Sequence, residues 1–161
     1  SEEEKMTIRE NVTRNLTATT DAYPDVVFHF FICPYSIGQW NSWNNEGMLD
    51  KMLEAERYIT ELILPHENIH LHSFYSRTDI VTDLNHYKDE THYASWINSM
   101  ILLWIHEGTY RLTEDNYEAI LQAEFDFFKN FDYESINGQE DYEDDDYAAL
   151  LLQEEMNSFA A

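Results

Sequence analysis

At 161 residues the chain has the length of one domain, and a single cysteine, Cys33, excludes an internal disulfide. Thirty-two acidic against 9 basic side chains give a formal net charge of -23, which opposes phosphate binding and sets nucleic acid aside as a direct ligand. A 43% hydrophobic and 15% aromatic content excludes a disordered chain.

Residues 3 to 20 carry Met6, Ile8, Val12 and Leu16 at near-helical spacing, which predicts an amphipathic helix ending before Pro24. The run DVVFHFFIC, 25 to 33, is apolar throughout and too short for a helix, so it reads as a strand buried on both faces. Asn44 and Asn45 are placed to cap a helix whose stripe is Met48, Leu49, Met52, Leu53, Tyr58, Ile59, Leu62 and Ile63, ended by Pro65. In NIHLHSFY, 68 to 75, Ile69 and Leu71 face one way and His70 and His72 the other, predicting a half-exposed strand. Strand, helix and strand together make a parallel crossover unit.

Ala94 to Glu107 reads as a buried helix with Gly108 at its C-terminal cap. Thr113 is expected to cap the next helix, with Leu112 stapled on Tyr117 and Ile120, Leu121, Phe125 and Phe128 as its apolar face. The acidic segment 133 to 147 reads as a linker, and AALLLQEEMNSF as a short final helix. Two strands leave open edges, which the terminal helices, a second copy or a partner strand must cover. No stretch approaches the roughly 20 apolar residues of a membrane span, and no leader is read at the start, so the expected setting is the bacterial cytoplasm.

In the spacing D-x-x-H directly ahead of a helix, Asp89 can bind one imidazole nitrogen of His92 and leave the other for a nucleophile. The blocks FFICPYSIGQW (30 to 40), ENIHLHSF (67 to 74), TDIVTDLNHYKDETHYASWINSMIL (78 to 102) and GTYRLTEDNYE (108 to 118) resemble the C-terminal half of a bacterial SGNH (GDSL-type) hydrolase family, over roughly residues 10 to 120. The resemblance implies a three-layer α/β/α sandwich, ester hydrolysis or acyl transfer, His92 as general base and Asp89 as its orienting carboxylate. The nucleophilic serine and the Gly and Asn oxyanion donors of that family have no counterpart here, because none of Gly38, Gly47, Gly108 and Gly138 opens a G-D-S element. The expected fold is therefore α/β: a partial, helix-rich SGNH-like unit with a short parallel sheet over residues 1 to 131, and an acidic extension over 132 to 161.

Each site residue also has a structural role open to it. Asp89 and Thr91 can cap the helix starting near Tyr93. His66, His70 and His72 lack a completing carboxylate or thiolate, so neither metal nor cofactor is expected. From Glu114 to Ala161, fifteen acidic residues stand against one lysine. There Asp126, Asp132, Glu134, Glu140, Asp141, Glu143, Asp144, Asp145 and Asp146 interleave with Tyr133, Tyr142 and Tyr147, as a row of phosphates interleaves with bases. In charge and size the chain is similar to small acidic inhibitors of nucleic-acid enzymes, some phage-encoded anti-CRISPR proteins among them. Two functions follow as expectations. The first is a catalytically incomplete SGNH-like protein that binds a basic, nucleic-acid-handling partner. The alternative is an ester hydrolase or acyltransferase to which this chain supplies Asp89 and His92. Self-association through an open sheet edge is a further expectation.

Overall fold

The computed structural model describes residues 1 to 136, together with Gln153 and Asn157, both helical. The chain begins with a nearly continuous helical segment: α1 (Glu2–Val12), one wider π turn (Thr13–Thr17) and α2 (Ala18–Ala22). Ser1 and Glu4 form a reciprocal capping box at its start. Strand β1 (Phe28–Ile32) follows, then α3 (Ile37–Asn45), α4 (Leu49–Ile63) and β2 (Ile69–Ser73). Beyond them come α5 (Thr78–Val81), α6 (Ser95–Glu107), β3 (Arg111–Leu112), α7 (Tyr117–Asn130) and a 3-10 turn at Tyr133–Ile136.

The architecture is α/β, helix-rich around a three-stranded mixed sheet of order β1-β2-β3. β1 runs parallel to β2, with Phe28 beside Ile69 and Ile32 beside Ser73, and β3 runs antiparallel, pairing Leu71 with Leu112. Because side chains alternate across a sheet, Ile69, Leu71 and Leu112 share one face, where they pack with Val12, Ile63 and Leu121 from α1, α4 and α7. On the opposite face Phe74, just past β2, packs with Trp96, Ile97, Met100, Ile101 and Trp104 of α6. A third cluster, beyond the carboxyl ends of the strands, joins Ile37, Trp40, Leu49, Leu53, Tyr75, Phe128 and Ile136. There Trp40 lies face to face on Phe128, ring centroids 3.8 Å apart.

Several elements depart from the sequence reading. β1 is not buried on both faces: it lies at the sheet edge, and His29 and Phe31 are exposed. β2, expected to be half-exposed, is the central strand, and His72 is fully buried. Asn44 and Asn45 end α3 rather than capping α4, whose N-cap position is Met48 with no side-chain bond. At α7 the N-cap position is Asn116, whose Oδ1 accepts from the Thr113 amide, while the Thr113 carbonyl accepts from Asn116 and Tyr117. Gly108 does close α6, at φ 72°, a left-handed turn that favours glycine. Past residue 131 the chain still packs on the body, since Ile136 is buried against the third cluster. No helix among the described residues is long and apolar enough to cross a membrane.

Candidate active-site dyad

The dyad loop is fastened to the carboxyl end of β1. Tyr87 donates its hydroxyl to the Pro34 carbonyl at 2.6 Å, and the Glu90 carbonyl accepts both the Ser36 amide (3.1 Å) and the Ser36 hydroxyl (2.8 Å). Ser36 is also the N-cap of α3, so one side chain joins the loop to that helix. Ser42 donates to the Glu90 carboxylate at 3.0 Å. Across the loop, Lys88 donates its amide to the His92 carbonyl at 2.8 Å, and Ala94 to that of His86 at 2.7 Å. Tyr87 and Tyr93 pair as an antiparallel bridge between these two bonds. Glu90 and His92 therefore sit at the tip of a closed turn.

At that tip both Asp89 carboxylate oxygens lie 2.8 Å from His92 Nδ1. Asp89 Oδ1 also accepts the amides of Thr91 (3.0 Å) and His92 (2.9 Å). The amide bond from Thr91, then the His92 side chain and amide, hold the Asp89 carboxyl well below the usual carboxylate range. A carboxylate at Nδ1 places the ring proton there and leaves Nε2 with a lone pair. The imidazole is 76% exposed, so Nε2 is open to whatever approaches. Asp89 caps this turn and not α6, which begins at Ser95 with Ala94 in the cap position.

Among the described residues no hydroxyl or thiol bonds to Nε2; Thr91 Oγ1 meets the ring at Nδ1, at 3.4 Å. Ser36 and Ser42 are committed to Glu90. Ser73 and Ser76 serve a different cluster, which sequence reasoning missed. The Ser73 hydroxyl lies 3.0 Å from a Glu56 carboxyl oxygen and 2.9 Å from one of Glu124, with one proton to give between them, and Ser76 donates to Glu124 (2.7 Å). Both glutamates are buried, and burial raises both carboxyls above the usual range; the charge of Glu124 pushes Glu56 further up, while bonds from Ser76, Ser73 and Glu56 offset part of the shift at Glu124. The two carboxyls meet at the Ser73 hydroxyl, and each bears on the ionisation of the other. A cleft of about 140 Å³ between α4 and α7, lined by Glu56, Arg57, Leu121 and Phe125, reaches its edge. The signal was present in the sequence: Glu56 interrupts the stripe Leu49, Leu53, Thr60, Ile63, and Glu124 stands between Leu121 and Phe128.

Of the acidic residues, Asp126, Asp132 and Glu134 are exposed, and Asp126 accepts from Gln122 at 2.9 Å. Tyr133 is half-buried: it packs on the third cluster and donates to the Phe128 carbonyl at 2.8 Å. Glu140, Asp141, Tyr142, Glu143, Asp144, Asp145, Asp146 and Tyr147 lie outside the described residues. The sheet register sets His29 beside His70, but among the described residues no group of three or more His, Cys, Asp and Glu side chains is arranged to hold a metal ion. A shallow concavity of about 530 Å³ between α1 and α4, lined partly by Lys5, Lys51, Met52 and Tyr58, receives no residue from the dyad loop.

No protein-family model matches the chain, and neither a curated protein nor a solved structure matches it.

Proposed function

We propose that this chain supplies the acid and base of an SGNH-type acyl-ester hydrolase or acyltransferase site. The observation that carries the reading is the Asp89 carboxylate, fixed by two backbone amides and bonded to His92 Nδ1 while Nε2 faces outward. In this role Nε2 takes the proton of an attacking hydroxyl, and Asp89 stabilises the imidazolium that forms. The proton then passes from Nε2 to the leaving alkoxide. The loop's place at the carboxyl end of β1 agrees, since ligands of open parallel α/β sheets bind beyond the carboxyl ends of their strands. The serine nucleophile and the oxyanion donors of the SGNH pattern come, in this reading, from polypeptide other than these residues. With the chain alone, water is the attacking hydroxyl, and slow hydrolysis of a short acyl ester above the buffer rate is expected. His92→Ala abolishes it; a rate indifferent to that substitution refutes the proposal.

A second reading is favoured by the net charge of -23 and by the exposed Asp126, Asp132 and Glu134: an acidic binding protein for a basic, nucleic-acid-handling partner. Such binding weakens with added salt, because surface attraction is screened over roughly 8 to 10 Å. Affinity for a basic partner that is unchanged between low and high salt removes this reading.

A further inference from the structure

Backbone alternation shows what β1 leaves open. Phe28 donates its amide to the Asn68 carbonyl at 2.8 Å, and the Ile32 carbonyl accepts from Phe74 at 3.3 Å. In a parallel ladder the residues that bond one neighbour alternate with those that face away from it. Phe28, Phe30 and Ile32 therefore serve β2, and the amides and carbonyls of His29 and Phe31 point off the sheet. The apolar surface gathers at the same place. Among the described residues, six large hydrophobic side chains are exposed, and four of them, Tyr23, Val26, Val27 and Phe31, belong to β1 or the segment leading into it. Edge strands that stay solitary are blunted by lysine, proline or a bulge. Between Val26 and Cys33 there is no lysine, arginine or proline, and the pairing with β2 is unbroken over all five residues of β1.

We propose that the edge of β1, which has no strand neighbour among the described residues, is a docking edge for an extended apolar strand with basic flanks, supplied by polypeptide other than a second copy of this chain. Main-chain bonds to His29 and Phe31 provide the attachment, and apolar side chains cover Val27 and Phe31, as in strand addition to an open sheet. Charge decides against a second copy. Each copy carries -23, and the exposed Asp21 and Asp25 precede the edge, so self-pairing brings like charges together where lysines of a partner would be attracted. The proposal is independent of the chemistry assigned to Asp89 and His92.

The test uses the whole chain and a synthetic peptide of Val, Ile and Thr flanked by lysines. Three versions are compared: the peptide itself, one with glutamate flanks, and one with alternate backbone amides methylated. Binding is read by fluorescence anisotropy, and the site by amide hydrogen exchange at His29 and Phe31. The lysine-flanked peptide is expected to bind and to slow exchange at both amides by about tenfold or more, as a peptide bound at ten or more times its Kd must. At low salt the glutamate-flanked version is expected to bind about tenfold more weakly, and the methylated one not to bind. Phe31→Lys, at a side chain already 37% exposed, is expected to leave the fold intact and abolish binding. If Phe31→Lys unfolds the chain, exchange in the unsubstituted protein decides alone. Three results overturn the proposal: no slowing at His29 and Phe31, equal binding of the methylated peptide, or a dimer without peptide in which both amides are already protected.

Discussion

Glu56 and Glu124 converge on one hydroxyl, that of Ser73, at 3.0 and 2.9 Å. Two carboxyls buried this closely cannot both ionise without a large electrostatic penalty, and with both pKa values raised the folded chain holds a proton there to higher pH than the unfolded chain does. The other groups facing them are Ser76, Tyr75 and Arg57. With the folded pKa raised, this contribution to stability is fully present below the unfolded value, about 4.3, and is lost as pH rises toward the folded value. Glu56→Gln keeps a donor toward Glu124 and an acceptor for Ser73 without the ionisation. Melting temperatures taken between about pH 5 and about pH 8 are expected to fall less in Glu56→Gln than in the unsubstituted protein. Comparing the two chains cancels the general self-repulsion of the acidic surface. Equal slopes contradict the shared proton.

The Asp89 carboxyl shifts the other way. Its folded pKa is depressed, so the stabilisation it gives the turn is present above the unfolded value, about 3.9, and is lost only as pH falls through the lower folded value. Amide resonances of Thr91 and His92, which donate to it, are expected to show no titration centred near that unfolded value. A transition centred there means the two amides do not hold the carboxylate.

Ser36 is buried, caps α3 and binds the Glu90 carbonyl, so Ser36→Ala removes two bonds through one oxygen. Loss of a cap costs about 1 kcal/mol, and loss of the hydroxyl's hydrogen bond to the Glu90 carbonyl, which keeps the Ser36 amide, costs a further ~1 kcal/mol. Denaturant unfolding is expected to show a loss of about 2 kcal/mol, with faster amide exchange across residues 87 to 93. A change confined to α3 would separate the loop from this anchor.

Phe128 joins α7 to α3 through Trp40 and to the segment after β2 through Tyr75. Phe128→Ala leaves a cavity in a fully buried site and is expected to destabilise the fold by about 3–5 kcal/mol. A loss below ~1 kcal/mol would mean that this cluster collapses freely around the gap.

The sequence was legible where one periodicity ran long. The stripe read from Met48 to Ile63 and the helix read from Ala94 to Glu107, stopped by Gly108, match α4 and α6 to within one residue, Met48 and Ala94 being the cap positions. The parallel pairing of β1 with β2 also follows from strand, helix and strand. Helix α3 was missed because Gly38 and the polar Gln39, Asn41, Ser42, Asn44 and Asn45 dilute the spacing of Ile37, Trp40 and Trp43. β3, two residues long, has no pattern to read, and without it β2 could not be recognised as central. The run 25 to 33 has the composition of an inner strand, yet which neighbours a strand finds is a tertiary matter that composition does not encode. At the site, the spacing of Asp89 and His92 foretold their hydrogen bond. The exposure of the imidazole depends on the closing bonds at Lys88 and Ala94, and the pairing of Glu56 with Glu124 depends on how α4 meets α7. Neither is local in sequence.

The central claim is that Asp89 fixes His92 with its proton on Nδ1 and a bare Nε2. A long-range proton–nitrogen NMR spectrum of the imidazole, recorded with the ring neutral, reads this directly. The account predicts a protonated Nδ1 and an unprotonated Nε2 in the native chain, and a shift toward the other tautomer in Asp89→Asn. A proton resting on Nε2 in the native chain, or a tautomer unchanged by that substitution, would contradict it.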